Sequence, residues 1–454
     1  MSSGPFPLEI IQRIVYYLTH GWIGLPGQNP PLFGAFRSWG RICGGAPYAT
    51  VNKAWQVAVE RETFAVLRLD RRRLAEADAI LNKVPRRQKY VRTIRLNVLC
   101  SLGIPGSSFE LVGKNNRALQ DTFEAFLATL SDWTPGPPVK LCLDAFALTD
   151  DGGREVLSQP MHHPMEYAPL ELTDPERVLH RGPVYVVTQV DMEGNRLGGR
   201  CVSATAVCTL VARLPAAKHV SINWLDASHH YAKARSAFAQ ALKTVTHGID
   251  YFHIAGAYYH PPDLEQPART PSQREAEPDE LSQSLGIISQ RLQSLDLYDV
   301  AVSDELFLQH NLPPGMVSPA HWARLENLSL CYPPVMPSGE SLFYPDPTVP
   351  DRERAATIAD PAIQRRYFAA ARAALNMPLL RNMLLVADIE YGQSWHKFWY
   401  CRNAKGNVPK ARWTSSSGFV PEEKVLEAWR EVPRKHLGGT EELEVEILND
   451  QNAV

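Results

Sequence analysis

The sequence predicts a protein of the α/β class, built as a small N-terminal helical unit followed by an irregular, leucine-rich array of alternating helices and strands. Three observations lead there. Two short amphipathic patterns, FPLEIIQRIVYYL at 6–18 and ATVNKAWQVAVERETF at 49–64, stand near the start of the chain. Downstream, eight short segments alternate Leu, Ile or Val with polar residues, as half-buried strands do. Helix-like segments lie between many of them, so the order helix then strand recurs.

In the first pattern, Leu8, Ile11, Val15 and Leu18 keep the spacing that lays one apolar stripe along a helix. Pro7 suits the first turn, where its missing N–H costs nothing, and the Glu9 carboxylate complements the positive end of the helix dipole. GWIGLPGQNPPLFGAF then reads as a loop, rich in Gly and Pro. Val51, Trp55, Ala58 and Val59 fall on one side of a second helix, and FAVLRLD after it alternates as a strand. The unit covers 1–70. A basic junction follows at 71–90, where DRRRL and PRRQKY read as a solvated helix face and linker; the interleaved aromatics of a single-strand binder are absent.

The array spans 91–450. Its strand segments are VRTIRLNV, VKLCLDAF, HVSINWL, DYFHIAG, LQSLDLYDV, LENLSLCY, LLRNMLLVA and ELEVEIL. Two of them share L-x-x-L-x-L followed by a loop and an apolar turn, the strand half of a leucine-rich unit. Their separations, roughly thirty to eighty residues, are looser than regular leucine-rich repeats, so the repeat is degenerate. A doubly wound sheet gives a similar alternation and is the competing architecture. GPVYVVTQVDMEGNRLGGRCV, 182–202, reads as a hairpin around EGN, and the Pro-rich, charged stretch 261–280 as a solvated, mobile loop.

Composition narrows the function. A net charge of -2 and a pI near 6.7 give no general reason to bind nucleic acid or an anionic membrane. No apolar run reaches the length of a membrane span, and no secretory leader is read at the N-terminus. Seven cysteines, at 43, 100, 142, 201, 208, 331 and 401, show no repeated spacing, which fits reduced thiols in the cytoplasm or nucleus.

Catalytic and metal patterns were sought in the same way. His162–His163 and His229–His230 are side by side and so point to different faces; His253 and His260 lack a carboxylate or cysteine at ligand spacing. DGGRE and LGGRC lack the lysine and the strand-to-helix setting of a phosphate loop. WHKFWY at 395–400 reads as core before surface. The expectation is no cofactor, no metal and no catalytic residue, the rival being a free-standing α/β enzyme whose site is assembled from distant side chains.

Pro7, Leu8, Glu9, Ile10, Ile14 and Leu18, then Val51, Lys53, Trp55 and the trailing VERETFAVLRL, resemble the F-box of fungal F-box proteins. The resemblance in motif covers roughly 5–70 and is one of general organisation beyond. It implies that these nine residues bind a Skp-type adaptor and through it a cullin, and that the leucine-rich region captures an unidentified target protein for ubiquitination. Nucleic acid and membrane are not among the implied partners.

Overall fold

The computed structural model describes residues 11, 51–101, 109–134, 136–148, 169–192, 201–224, 232–245, 248–256, 278–308, 322–334, 336–338, 342–345, 357–359, 361–388, 395–402, 408–416, 418–438 and 442–449. Stretches of alternating residues become strands because one set can be buried while the other stays wet. In β2 (Thr93–Ser101), Ile94, Leu96, Val98 and Cys100 are buried while Arg95, Asn97 and Leu99 are not. The same two-residue period runs through β5 (His219–Trp224), β6 (Tyr251–Gly256), β7 (Ser294–Tyr298) and β8 (Asn327–Tyr332).

With β1 (Val66–Leu69), β3 (Val139–Leu148), β4 (Val187–Met192), β11 (Asn382–Asp388), β12 (Trp395–Cys401), β13 (Lys410–Ser415) and β14 (Glu444–Asn449), they form one twelve-stranded sheet. β9 (Phe343–Pro345) and β10 (Thr357–Ala359) pair separately. The strand order follows the chain from β1 to β8 and then β11 to β14, without the reversal that marks a doubly wound sheet. Every pair in the twelve-stranded sheet is parallel except the two that involve β12.

Helices α1 (Lys53–Ala65), α2 (Arg71–Leu81), α3 (Pro85–Gln88), α4 (Phe109–Leu130), α5 (Pro175–Leu179), α6 (Ala204–Val211), α7 (Ala232–Thr244), α8 (Glu280–Ser289), α9 (Pro361–Ala374) and α10 (Glu423–His436) supply the connections. Several start at side-chain caps. Asn52 Oδ1 accepts from the Ala54 and Trp55 amides at 2.9 and 3.1 Å, Asp70 from Arg73 at 2.9 Å, Ser203 from Ala206 at 3.1 Å and Asp279 from Ser282 at 2.9 Å. Neighbours α4 to α8 touch in sequence, α2 leans on α4, and α9 packs on α10. The buried core is continuous from Leu69 to Val432.

The hairpin expected at 182–202 is corrected. Val187–Met192 is an interior strand with parallel neighbours on both sides, and Val202 bridges in parallel to Leu170. An interior strand has no free edge left for a hairpin partner. The mobile-loop reading of 261–280 falls largely on 257–277, outside the described residues.

Gly256 ends β6 where a Cβ would lie 2.2 Å from the backbone oxygen of Asp299, whose own φ is 53°. Backbone cannot swing away as a side-chain tip can, so Gly256→Ala should destabilise by about 1–3 kcal/mol or more. Denaturant unfolding of the variant beside wild type measures it; unchanged stability would show that the turn yields freely.

A buried polar chain crosses the C-terminal half. Arg366, 1% exposed, bonds Asp304 Oδ1 at 3.3 Å and the Val302 carbonyl, and its guanidinium lies 4.5 Å over the Tyr332 ring. The Tyr367 hydroxyl meets His396 Nδ1 at 3.1 Å. Burial lowers the His396 pKa to about 4 from its ordinary 6.5. The unfolded chain therefore takes up this proton before the folded one does. This contribution to stability is complete above pH 6.5 and falls as pH drops towards about 4, by about 3 kcal/mol in all. Unfolding midpoints from pH 4.5 to 7.5 should follow that slope in wild type and flatten in His396→Gln; equal slopes would refute the assignment.

Candidate functional site

Among the described residues, two places present exposed side chains of interest: the N-terminal unit and the face of the sheet opposite the helices, uncovered by any described element. Of the nine docking candidates, Pro7, Leu8, Glu9, Ile10, Ile14 and Leu18 lie outside the described residues. Ile11 is helical, buried, and clusters with Ala58 and Val59 of α1, with Trp55 packed alongside. Trp55 is thus half-buried in the unit's own small core, while Val51 and Lys53 are exposed at the start of α1.

The basic run at 85–90 does more than link. Buried Glu60 of α1 receives Arg86 Nη2 at 3.0 Å and Arg87 Nη2 at 2.9 Å, and Arg87 also sits 5.3 Å over the Phe64 ring. Both cations are therefore engaged in holding α1 against the body, which corrects their reading as a solvated linker. DRRRL matches the expected helix face better. Arg71 reaches Asp121 at 2.6 Å and Arg72 reaches Glu76 at 3.7 Å, while Leu74, Ala77 and Leu81 point inward.

On the uncovered face the strands align their outward residues in rows. One row runs Arg95, Cys142, Asp191, Ser221, His253, Asp296, Ser329, Leu384, Trp399, Arg412 and Glu446. Side chains in this row and in the rows beside it interact across neighbouring strands. Lys140 pairs Asp191 at 2.5 Å, His219 stacks on Tyr251 at 4.3 Å, Lys410 pairs Glu444 at 2.8 Å, and Arg412 lies 5.7 Å from the Trp399 ring and bonds Glu446. Tyr251 and Tyr298 are 41% and 52% exposed. WHKFWY is split by its alternation: His396, Phe398 and Tyr400 are core, whereas Lys397 and Trp399 face outward.

His253 Nδ1 lies 2.9 Å from Asp296 Oδ2. That bond holds the Asp296 carboxyl below its ordinary pKa, against the opposing effect of burial, with Ser329 adding a further hydrogen bond. Along the ladder Asp296 lies between His253 and Ser329. Among the described residues no hydrogen bond joins Ser221 to His253, and a nucleophile needs such contact with its base. No cluster of three His, Cys, Asp or Glu suited to a metal is found among the described residues. A pocket lined by Gln88, Trp133 and Val139 has a cavity volume of about 10 Å³, far below the roughly 300–1,000 Å³ of small-molecule sites. No helix among the described residues is long and apolar enough to cross a membrane.

Fold and face define a mixed α/β protein with one mostly parallel sheet, helix-covered on one side and lined on the other by polar and aromatic side chains. Residues 241–453 match the model of a family of unknown function, DUF6546. No curated protein matches the chain. The matched stretch holds the strands from β6 to β14, and with them Tyr251, Tyr298, Trp399 and Arg412. Lys397 and Trp399 lie in WHKFWY, which the sequence reads as core before surface, whereas Arg412 is not singled out by sequence although the alternation in KARWTS could have revealed it.

Proposed function

We propose that the protein is the substrate-recognition subunit of a Skp-cullin-F-box ubiquitin ligase, working in the cytoplasm or nucleus. Its F-box-like N-terminal unit docks on a Skp-type adaptor, and its leucine-rich-repeat-like array holds a target protein. The observation that carries this reading is the uncovered face of the twelve-stranded sheet. At about 4.8 Å between strands it extends about 50 Å, a scale suited to a macromolecule. Tyrosine, tryptophan and arginine on it are the residue types that dominate binding energy at protein interfaces. The subunit supplies no bond-making group. It raises the local concentration of target lysines near the ubiquitin-charged enzyme, as tethering does.

Affinity purification of the tagged full chain from a fungal extract, scored for adaptor and cullin, tests the reading. Stoichiometric adaptor in the eluate is the expected result. No adaptor binding by the wild-type chain, including with purified adaptor, would remove the ligase assignment.

A further inference from the structure

Charge on the uncovered face is mostly matched across neighbouring strands: Lys140 with Asp191, Lys410 with Glu444, Arg412 with Glu446. Lys397 departs from this pattern. Its ladder partners are Val386 on β11 and Thr414 on β13, it is exposed, and among the described residues no carboxylate pairs with it. One pleat along, Leu384 pairs with Trp399, and both are half-buried; Tyr298 lies at the same end of the face on β7. An exposed ammonium beside Val386, Leu384 and Trp399 offers a carboxylate a charge partner and its neighbouring side chain an apolar floor.

We infer that this patch is the centre of target recognition, and that its ligand is a protein segment carrying Asp or Glu within one or two positions of a large apolar residue. The inference rests on the target-binding reading above and adds the chemistry of the target. An acidic side chain engages Lys397 while the apolar one covers Trp399 and Leu384.

A phage library of random twelve-residue peptides, panned on the purified full chain, provides the probe. The enriched peptides should combine Asp or Glu with Leu, Ile, Phe or Trp at the stated spacing. Fluorescence anisotropy of one such peptide should show about tenfold or greater weakening in Lys397→Glu and in Trp399→Ala, with Lys83→Glu unaffected. A peptide with lysine in place of its acid should recover affinity for Lys397→Glu. Circular dichroism on each variant identifies any that fail to fold. Absence of enriched peptides, enrichment without an acid, or unchanged affinity in folded Lys397→Glu would each overturn the inference. Adaptor capture, measured on the same preparations, separates the two readings. Adaptor binding without peptide selection leaves the ligase proposal standing alone, and peptide selection without adaptor leaves only the acidic-segment site.

Discussion

Arg366→Leu should cost about 3–5 kcal/mol of stability, the range for removing one partner from a buried ion pair. The guanidinium is 1% exposed and serves Asp304, the Val302 carbonyl and the face of Tyr332 together. Leucine fills part of the space but supplies no donor. The Asp304 carboxylate, 24% exposed, and the Val302 carbonyl then lose a partner where little water can replace it. Adding Asp304→Asn should restore part of the loss, because the stranded charge is the costly element. Equilibrium denaturation of wild type, both single variants and the double variant gives the cycle. A loss below about 1 kcal/mol in Arg366→Leu would show that the network is dispensable.

Leu8→Asp with Ile10→Asp should reduce adaptor binding on the order of 100-fold or more while the body of the protein stays folded. Two carboxylates cannot enter an apolar contact without partners, and each tenfold in affinity corresponds to about 1.4 kcal/mol. The neighbouring Ile11 packs inward against Ala58 and Val59. Thermal unfolding followed by circular dichroism separates docking from mere capping of the sheet. A cap would lose stability in the double variant; a docking surface would lose the adaptor. Adaptor binding retained by the folded double variant would end the case for docking through these residues.

Much of the array was readable in advance because its signals are local. Ile94, Leu96 and Val98 alternate with Thr93, Arg95 and Asn97, and only a strand wet on one side needs that pattern; a sheet covered on both faces would be apolar throughout. The caps Asn52, Asp70, Ser203 and Asp279 are equally local signals, each acting within three residues of itself, but they are not among the readings made from the sequence. The helix at Glu423–His436 went unread even though Val425, Trp429 and Val432 keep helical spacing and are buried.

By itself, then, the sequence determined the α/β class and the alternation of buried and wetted residues along the strands, because each depends on periodicities of a few residues. Tertiary structure alone decided the chain-ordered sheet, the interior place of β4, the clamp of Glu60 on Arg86 and Arg87, and the burial of Arg366. It also decided which of the described cations on that face pair with a carboxylate across the strands and which does not. The physical reason is distance along the chain: Arg87 finds Glu60 across 27 residues and Arg366 finds the Val302 carbonyl across 64. Such partners are chosen by sheet register and helix packing, so a lysine that ends opposite valine and threonine cannot be told locally from one that ends opposite a glutamate.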